Sequence, residues 1–419
     1  MIHTLPGWLD WLERRNEAPI VLGLERVRVV ADRLNLRPNC PVLTVAGTNG
    51  KGSTCAFLEA SLRAGGYRVG LYTSPHLLRY NERVRIDGCN AEDAALVEAF
   101  NRVESARAEI PLTYFEHGTL AALWLFAQAR LDAWVLEVGL GGRLDAVNVI
   151  DADCALITPV DLDHQDWLGH DREAIAFEKA GIMRVGRPAV ISDPAPPQSL
   201  LNAAASLGCA TWRLGTEFAV QNSESGWALR VADEVIAALP RPALVGRHQY
   251  DNAAAALTAL RCMRDRLPLP VAALRAGVAS AQLAGRFQVL GQAPLRIVDV
   301  GHNPHAARSL AAMLADLVPT ARCVAVCAML ADKDVESVVD ALADSFAHWH
   351  IAPLPGPRGG GTVRLQAALT ARRLSHSHHD DVVTAWRAAC AGADTIAAFG
   401  SFLTAQAVLE NVEVASGGN

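Results

Sequence analysis

The string GTNGKGS at residues 47–53 is the segment whose residue types and spacing point most directly to chemistry. It follows a β-branched run, and an amphipathic helical pattern extends from Ser53 to about Arg63. Glycines let backbone N–H groups approach a phosphate closely, and a helix N-terminus adds roughly half a positive charge there. Lys51 would reach the β- and γ-phosphates of a nucleotide. The segment therefore predicts an ATP-binding phosphate loop rather than an ordinary strand–turn–helix junction.

This loop departs from the common P-loop in two ways. Only two residues, not four, separate its first and second glycines. Gly52 also follows the lysine at the place where a metal-binding Ser or Thr is expected. We therefore expect the ligands of a nucleotide-bound magnesium ion to come from other segments.

Three other segments carry polar side chains at the ends of predicted strands. Ser74 follows one strand, Glu137 ends a second, and His164 follows a third together with Asp161 and Asp163. In an open parallel sheet, ligands collect at the carboxyl ends of the strands. Such side chains suit a magnesium ion that is held partly by ATP phosphates. Taken alone, Glu137 could cap a turn and His164 could be a satisfied polar residue, but their shared position favours a metal site.

The elements that must position these residues follow an α/β rhythm, because short β-branched runs alternate with longer helical patterns. Buried strands are predicted in the first domain at residues 42–46, 69–72, 133–137 and 154–159. The stretch 194–235 is expected to be loops and irregular β-structure. A histidine-rich run, SHSHHDD at 375–381, resembles a metal-binding tract but is better explained as a solvated loop.

A domain boundary is predicted near RFQVLGQAPL at 286–295, where the helical periodicity lapses. The α/β rhythm then restarts, with strands expected at 295–300, 324–329 and 395–399 and a helix from about His305. We thus predict an α/β protein with two domains. Residues 1–288 would form a P-loop-type N-terminal ATPase domain with a mostly parallel sheet, and residues 289–419 a smaller Rossmann-like C-terminal domain.

Length, net charge and cysteine count exclude several classes of protein. A chain of 419 residues exceeds the usual limit for one hydrophobic core. Its net charge of −6 gives no sign of nucleic-acid binding, and nine scattered cysteines do not form a disulfide framework. Neither a signal peptide nor an apolar run long enough to span a bilayer is visible. We therefore expect a cytoplasmic protein without nucleic-acid or membrane partners.

Ten motifs carry a resemblance to a known family. They are GTNGKGS, TSPHL, LTYFE, EVGLGGRLDA, LDHQDWLG, FEKAGI, GRFQ, DVGHNPHAA, MLADKD and FGSF, in this order. The chain resembles the folylpolyglutamate synthases, and especially the bacterial bifunctional enzymes that also act as dihydrofolate synthases. That family is related to the Mur ligases, which add amino acids to cell-wall precursors. The resemblance extends over roughly residues 8 to 410.

The resemblance implies a set of site residues. Contacts to ATP are implied for the loop from Thr48 to Ser53, which includes Asn49, Gly50, Lys51 and Gly52, and for Asn252, Arg286 and Asp299. The pterin acid would be held by Pro19, Ile20, Val21, Leu22, Thr113, Tyr114, Phe115, Glu116, Leu144, Asp145 and Ala146. Magnesium ligands would be Ser74, Glu137, His164 and Lys179 as its carbamate. Lys51, Asp299, His302 and Ser401 are the implied catalytic residues, the last two on the amino-acid side.

Carbamylation of Lys179 has a physical rationale. A free lysine, with a reference pKa of about 10.4, is a cation that would repel the metal ions. A carbamate replaces the ammonium with an anionic oxygen donor. Without the motif match, a lysine in a helix would be interpreted as a solvated surface charge.

The resemblance also implies the reaction. An ATP-dependent carbon–nitrogen ligase would add L-glutamate to dihydropteroate, forming dihydrofolate, and to tetrahydrofolates, forming polyglutamates. The reaction would pass through an acyl phosphate and release ADP and phosphate. Two Mg²⁺ ions would be the cofactors, and the enzyme would be a monomer. Two alternatives stay open: a related ligase that acts on a cell-wall or storage-peptide acid, and a nucleotide-binding switch without catalysis.

Overall fold

The structure, a computed structural model, describes residues 2–15, 22–223, 226–317, 323–356 and 359–416. The chain divides into two compact units, Met1–Ala243 with Gln249–Gln282, and Leu244–His248 with Leu283–Asn419. The division precedes the expected boundary after residue 288, and Phe287 is buried in the core of the second unit. Within the described residues, no helix is both long and apolar enough to cross a membrane.

The first unit is built on an eight-stranded sheet in the order β4–β3–β2–β5–β1–β6–β7–β8. The six strands β2, β5, β1, β6, β7 and β8 are neighbours in this order and pair in parallel. Strands β3 and β4 add an antiparallel edge next to β2. Strands β1, β2, β5 and β6 are buried at every position, as expected for a parallel sheet covered on both faces. The strands are β1 (Val42–Ala46), β2 (Val69–Tyr72), β3 (Val84–Ile86), β4 (Cys89–Asn90), β5 (Ala133–Glu137), β6 (Cys154–Ile157), β7 (Pro188–Ile191) and β8 (Ala210–Arg213).

Ten α-helices accompany this sheet in the described part of the first unit. Their ranges are α1 (Leu5–Arg15), α2 (Glu25–Arg33), α3 (Lys51–Ala64), α4 (Asp93–Arg107), α5 (Tyr114–Gln128), α6 (Gln165–Leu168), α7 (Arg172–Ala180), α8 (Gln198–Ser206), α9 (His248–Cys262) and α10 (Val271–Ser280). Two short 3-10 helices, Tyr80–Arg83 and Ala146–Val149, lie in the connections. The helix predicted from Ser53 begins two residues earlier, at Lys51 of the phosphate loop.

The expectation of loops and irregular β-structure at 194–235 is only partly correct, because the stretch is more regular than expected. This stretch contains α8, strand β8 at the edge of the main sheet, and most of a three-stranded antiparallel sheet. That sheet consists of β9 (Phe218–Ser223), β10 (Gly226–Val231) and β11 (Glu234–Leu239). Its strands bury Trp227, Leu229 and Leu239, so a small apolar face compensates for the turn-rich composition that suggested loops.

The second unit has a six-stranded sheet in the order β12–β13–β17–β14–β15–β16, parallel except for the β12–β13 hairpin. The hairpin occupies the segment where helical periodicity lapses. The strands are β12 (Gln288–Gln292), β13 (Leu295–Val298), β14 (Cys323–Cys327), β15 (His348–Ile351), β16 (His376–His378) and β17 (Thr395–Phe399). The helices are α11 (Pro304–Leu317), α12 (Val335–Leu342), α13 (Thr362–Ala371), α14 (Val382–Cys390) and α15 (Phe402–Ser416).

The second unit has its own aromatic core. Phe346 stacks on Phe399, with ring centroids 5.5 Å apart, and Trp349 meets both rings edge-on. The predicted fold class, α/β in both units with the larger unit first, is confirmed. The expectation of a solvated loop at 375–381 is wrong, because residues 376–378 form β16 and pair with β15.

Candidate active site

The phosphate-loop segment connects β1 to α3 and is tied to the loop after β6. The Thr48 amide donates to the Pro159 carbonyl oxygen at 2.9 Å, and its hydroxyl donates to the Asp161 carbonyl oxygen at 3.0 Å. The Asp161 amide in turn donates to the Thr48 hydroxyl oxygen at 3.0 Å. Because β1 and β6 are adjacent parallel strands, their carboxyl ends bring these two loops together.

Gly50 lets the loop approach Asn252. Its φ of +92° is a left-handed conformation, and a Cβ atom there would lie 2.6 Å from the Asn252 Oδ1. The Asn252 side chain is buried and donates through Nδ2 to the Gln249 Oε1 at 3.0 Å. The structure thus brings Asn252, on α9, beside the loop whose sequence predicts ATP binding.

Two lysines converge on one carbonyl at this loop. Lys51 Nζ donates to the Gly47 oxygen at 3.1 Å and to the Thr48 oxygen at 3.2 Å. Lys179 Nζ, from α7, donates to the same Gly47 oxygen at 3.0 Å. Lys179 is buried, and that burial, followed by the Lys51 charge, lowers its pKa to about 7. Much of Lys179 is therefore a neutral amine near neutral pH, which is the form that reacts with carbon dioxide to give a carbamate.

The glycine turn after β5 fixes the position of α7. A Cβ atom on Gly142 would lie 2.9 Å from the Glu178 carbonyl oxygen and 3.1 Å from the Lys179 Cα. The Arg143 amide donates to that Glu178 oxygen at 2.7 Å. The absence of a side chain at Gly142 therefore lets the turn pack directly against the helix that presents Lys179.

The expected metal ligands lie at neighbouring strand ends. The Ser74 amide donates to Glu137 Oε2 at 3.1 Å, and Glu137 is buried at the end of β5. His164 has a left-handed backbone at the start of α6 and lies 3.9 Å from Asp163, measured from Nε2 to Oδ1. The Asp163 carboxylate also acts on Lys179, whose pKa it raises against the larger effect of burial.

These side chains suit a divalent cation only if different ligand types, a hydroxyl, a carboxylate and a carbamate, are combined. Among the described residues, no group of three or more His, Cys, Asp or Glu is arranged to hold a metal ion. The Ser74 hydroxyl and the Glu137 carboxylate are the oxygen donors that Mg²⁺ prefers, and a carbamate on Lys179 would be another. The residues fit the ion if Lys179 is carbamylated, since its ammonium form cannot be a ligand.

The segment LTYFE begins α5 with a reciprocal cap. The Glu116 amide donates to the Thr113 hydroxyl at 3.2 Å, and the Thr113 amide donates to Glu116 Oε2 at 2.8 Å. Arg26 Nη2 lies 2.6 Å from Glu116 Oε1. Thr113 and Glu116 therefore build the helix start, and Tyr114 and Phe115 lie between them along the chain. A Cβ atom on Gly139 would lie 2.5 Å from the Phe115 ring.

Asp145 connects the glycine turn to the next 3-10 helix. Its carboxylate accepts from the Leu140 and Val147 amides, each at 2.9 Å. Burial raises its pKa to about 6, although these hydrogen bonds oppose the shift. Leu144 and Ala146 flank it, and Leu22 is half-buried, whereas Pro19, Ile20 and Val21 lie outside the described residues.

A buried arginine beside the same region was not anticipated from the sequence. The Arg83 Nε donates to His76 Nδ1 at 2.8 Å, and its guanidinium lies 5.3 Å from the Tyr80 ring centroid and 5.6 Å from that of Tyr114. Burial, followed by the Arg83 charge, lowers the pKa of His76 to about 4. The local pattern NERVR carried no signal for this, because the contacts join residues from three segments.

In the second unit, Asp299 and His302 shape the turn after β13. Asp299 is buried and accepts from the Phe287 amide at 2.9 Å and the Gly301 amide at 2.6 Å. His302 Nδ1 lies 2.9 Å from the Val300 carbonyl oxygen. Because a carbonyl oxygen only accepts, this contact requires the hydrogen on Nδ1 and leaves Nε2 as the basic nitrogen.

Arg286 and Ser401 lie against the start of α15. The Arg286 guanidinium is 5.9 Å from the Phe402 ring centroid. Ser401 is buried; its oxygen accepts from the Thr404 amide at 2.9 Å and lies 2.7 Å from the Thr404 hydroxyl. That second hydroxyl donates to the Ala328 carbonyl oxygen, so the hydrogen of Ser401 is directed to Thr404. These contacts give Ser401 a capping role, and its catalytic role stays a prediction.

Comparisons with known proteins identify the family. The family "Mur ligase middle domain" matches residues 45–260, and "Mur ligase, glutamate ligase domain" matches residues 285–402. The chain is 46% identical to the dihydrofolate synthase/folylpolyglutamate synthase of Escherichia coli K12, over 99% of this chain and 97% of that protein.

Two solved structures are similar over nearly the whole chain. The structure of E. coli FolC in complex with DHPP and ADP superposes with a TM-score of 0.94 at 46% identity, covering 99% of this chain and 98% of that one. A bifunctional folylpolyglutamate synthase/dihydrofolate synthase with Mn, AMPPNP and L-glutamate bound has a TM-score of 0.91 at 46% identity, covering 98% of each chain. The resemblance seen in the motifs is confirmed: this chain is an ATP-dependent ligase that belongs to the dihydrofolate synthase/folylpolyglutamate synthase family of the Mur ligase superfamily.

Proposed function

We propose that this chain adds L-glutamate to dihydropteroate, forming dihydrofolate, and to tetrahydrofolates, forming polyglutamates, with ATP as the energy source. The observation that carries the proposal is the convergence of Lys51 and buried Lys179 on the phosphate loop. It occurs in a chain that is 46% identical to a relative with both activities in its name. The comparisons favour folate substrates over cell-wall acids.

The reaction is proposed to proceed in two steps. A carboxylate oxygen of the pterin acid attacks the γ-phosphorus of ATP, and ADP leaves, which gives an acyl phosphate. The amine of glutamate then attacks the acyl carbon, the amide bond forms, and inorganic phosphate leaves with the carbon–oxygen bond electrons. A free carboxylate is a poor electrophile, so phosphorylation supplies the leaving group. The protein mainly positions the reactants and neutralises charge.

The phosphate loop would hold ATP from Thr48 to Ser53, with Asn252 beside it. Lys51 would offset charge on the transferred phosphoryl group once it leaves the Gly47 and Thr48 carbonyl oxygens for the nucleotide. From the second unit, Arg286 and Asp299 are proposed nucleotide contacts. Asp299 would act through the turn it fixes rather than as a proton acceptor, since both of its oxygens accept backbone amides.

The cation is proposed to be Mg²⁺, with two ions bound during turnover. Ser74, Glu137, His164 and carbamylated Lys179 would hold them, together with nucleotide phosphates. When bound, the ions neutralise negative charge on the phosphates. The Ser74 amide directs the Glu137 carboxylate, and the buried amine of Lys179 is poised to form the carbamate.

The pterin acid is proposed to contact three segments of the first unit. These are residues 19–22, the LTYFE segment from Thr113 to Glu116, and residues 144–146. Phe115 and Tyr114 offer aromatic surface to a pterin ring. Asp145 would act through the turn that it fixes, since both of its oxygens accept backbone amides. His302 is the proposed base for the glutamate amine through Nε2, and Ser401 would support that side through the start of α15.

We further propose that the enzyme is a monomer that acts in the cytoplasm. All nine cysteines are free thiols, which is the usual state in a reducing compartment. The buried thiols Cys154 and Cys327 have pKa values raised by burial, so they behave as small apolar side chains rather than as nucleophiles.

A lysine substitution tests the proposal. We expect Lys51→Ala to release ADP at least 100-fold more slowly with dihydropteroate and glutamate, because the substitution removes a positioned cation at the phosphate. Arg63→Ala, at the other end of the same helix and half-exposed, is the matched control and should retain full turnover. Circular dichroism checks that both variants are folded. Near-normal turnover of Lys51→Ala would refute the assignment of this loop to ATP.

A further inference from the structure

A cluster of imidazoles lies at one edge of the sheet in the second unit, on residues that the proposed function does not use. His348 and His350 alternate along β15 with the buried residues Trp349 and Ile351. β16 is the terminal strand of this sheet, and His379 follows it directly. The parallel register pairs His350 with Ser377, and side chains two residues apart share a sheet face. His348, His350, Ser377 and His379 therefore project from one face, and we call them the edge histidine cluster.

The polar atoms of this cluster meet at short distances. His350 Nδ1 lies 2.9 Å from His379 Nε2. The Ser377 hydroxyl oxygen lies 3.2 Å from His350 Nδ1, 3.1 Å from His379 Nε2 and 3.0 Å from His348 Nε2. Three imidazole nitrogens thus converge on one hydroxyl, which can donate only one hydrogen.

The spacing of the two closest nitrogens matches that of adjacent ligands on one metal ion. With metal–N bonds of about 2.0–2.1 Å, two such ligands lie about 2.9 Å apart at a coordination angle of 90°, and about 3.3 Å apart at the tetrahedral angle that Zn²⁺ prefers. An imidazole binds such an ion through a ring nitrogen that carries no hydrogen.

The charges around the cluster also suit a cation. Asp380 and Asp381 follow His379 directly in the chain. Their carboxylates place negative charge close to the cluster, which favours a bound cation.

We propose that His350 and His379, with Ser377 and His348 beside them, bind one divalent transition-metal ion of the Zn²⁺, Ni²⁺ or Cu²⁺ class. Imidazole suits these ions, whereas Mg²⁺ prefers oxygen ligands and does not compete for the site. Among the described residues, no group of three or more His, Cys, Asp or Glu is arranged to hold a metal ion, so the site offers two imidazole ligands and would need water as further ligands. Bound metal joins the end of the terminal strand β16 to its neighbour β15.

The test uses amide substitutions that keep hydrogen bonding but remove the imidazole ligands. Asparagine places a polar atom near the Nδ1 position of histidine, and glutamine near Nε2, so the double variant carries His350→Asn and His379→Gln. His378→Gln is the matched control, because His378 is exposed and its position in β16 directs it to the opposite sheet face. Zinc binding is measured on the full chain by equilibrium dialysis in excess Mg²⁺, which occupies oxygen-rich sites.

Wild type and the control are expected to bind one more Zn²⁺ ion per chain than the double variant. Equal stoichiometry in all three proteins, or an equal loss in the control, would overturn the proposal. Thermal unfolding without metal checks that the double variant is folded. If it is not, Cu²⁺ electron paramagnetic resonance on the wild type decides: hyperfine coupling to two imidazole nitrogens supports the site, and coupling to one or none contradicts it.

Discussion

At the scale of single residues, the choice of lysine is informative. The sequence contains only three lysines, Lys51, Lys179 and Lys333, and otherwise uses arginine for its positive charges. Arginine cannot lose its proton in a protein, whereas a buried lysine can become a neutral amine. Lys179 is buried with its pKa lowered to about 7, so an arginine there could not form a carbamate.

We predict that Lys179 carries a carbamate when bicarbonate is present. Incubation with isotopically labelled bicarbonate should give one carbamate signal in the carbon NMR spectrum, because a buried neutral amine reacts with dissolved carbon dioxide. Lys333→Arg should keep that signal, and Lys179→Met should lose it together with turnover. A signal that persists in Lys179→Met would assign the modification to another amine.

The lowered pKa of Lys179 also predicts a dependence of stability on pH. In the unfolded chain Lys179 keeps its proton up to the ordinary lysine pKa of 10.5, whereas in the folded chain it keeps it only up to about 7. Between these values the unfolded state binds more protons, so the free energy of unfolding rises with pH.

In carbonate-free buffer, we expect wild type to gain about 1–3 kcal/mol relative to Lys179→Met between about pH 7 and pH 10. Urea denaturation of both proteins across this range measures the difference. The gain comes from relief of a buried charge, which Lys179→Met never carries. Stability curves that run parallel for the two proteins would show that Lys179 is hydrated in the folded state.

At the scale of elements, strand ends and glycine turns decide where the site forms. The strands at 42–46, 69–72, 133–137 and 395–399 could be predicted to the residue, because short, largely apolar runs mark strands buried on both faces. The neighbouring strand ends of β1, β5 and β6 then place the loop, Glu137 and Asp161 side by side. The small antiparallel sheet and the edge strand β16 were not predictable, because turn-rich or polar strands carry little apolar pattern.

The residues that the site needs were only partly visible in the sequence. Lys51 follows from its loop, but Lys179 is an ordinary helical lysine unless the motif is recognised. The contacts of Arg83 with His76, and of Arg26 with Glu116, join residues from separate elements, so no local pattern encodes them. A sequence also does not distinguish a residue that binds a ligand from one that caps a helix. The capping contacts of Ser401 and Glu116 could therefore not be predicted from it.

The loop glycine gives a prediction at the scale of an element. Gly50→Ala adds a strained left-handed residue and a Cβ atom that meets Asn252, so we expect at least a 10-fold rise in the KM for ATP. Gly66→Ala, just after the same helix, has a φ of +86° and no atom within 4 Å of its added Cβ. Steady-state kinetics should show a normal KM for ATP in this control. Equal KM values in both variants would contradict a role for the Gly50–Asn252 contact in nucleotide binding.

At the scale of the whole molecule, two units with separate cores each carry residues that the proposed function uses. The first unit carries the phosphate loop, the proposed metal ligands and the aromatic LTYFE segment. The second carries Asp299, His302 and Arg286 around the turn after β13. Both Mur ligase families match in this order, and the E. coli relative aligns along nearly its full length.

The measurement that tests the central claim most directly is product analysis. The purified chain is given ATP, Mg²⁺ and excess glutamate with either dihydropteroate or tetrahydrofolate, and mass spectrometry follows the products while ADP is quantified. We predict that both acids gain glutamate, with one ADP released for each amide bond formed. ADP release that does not depend on the acid, or no glutamate added to either acid, would contradict the account.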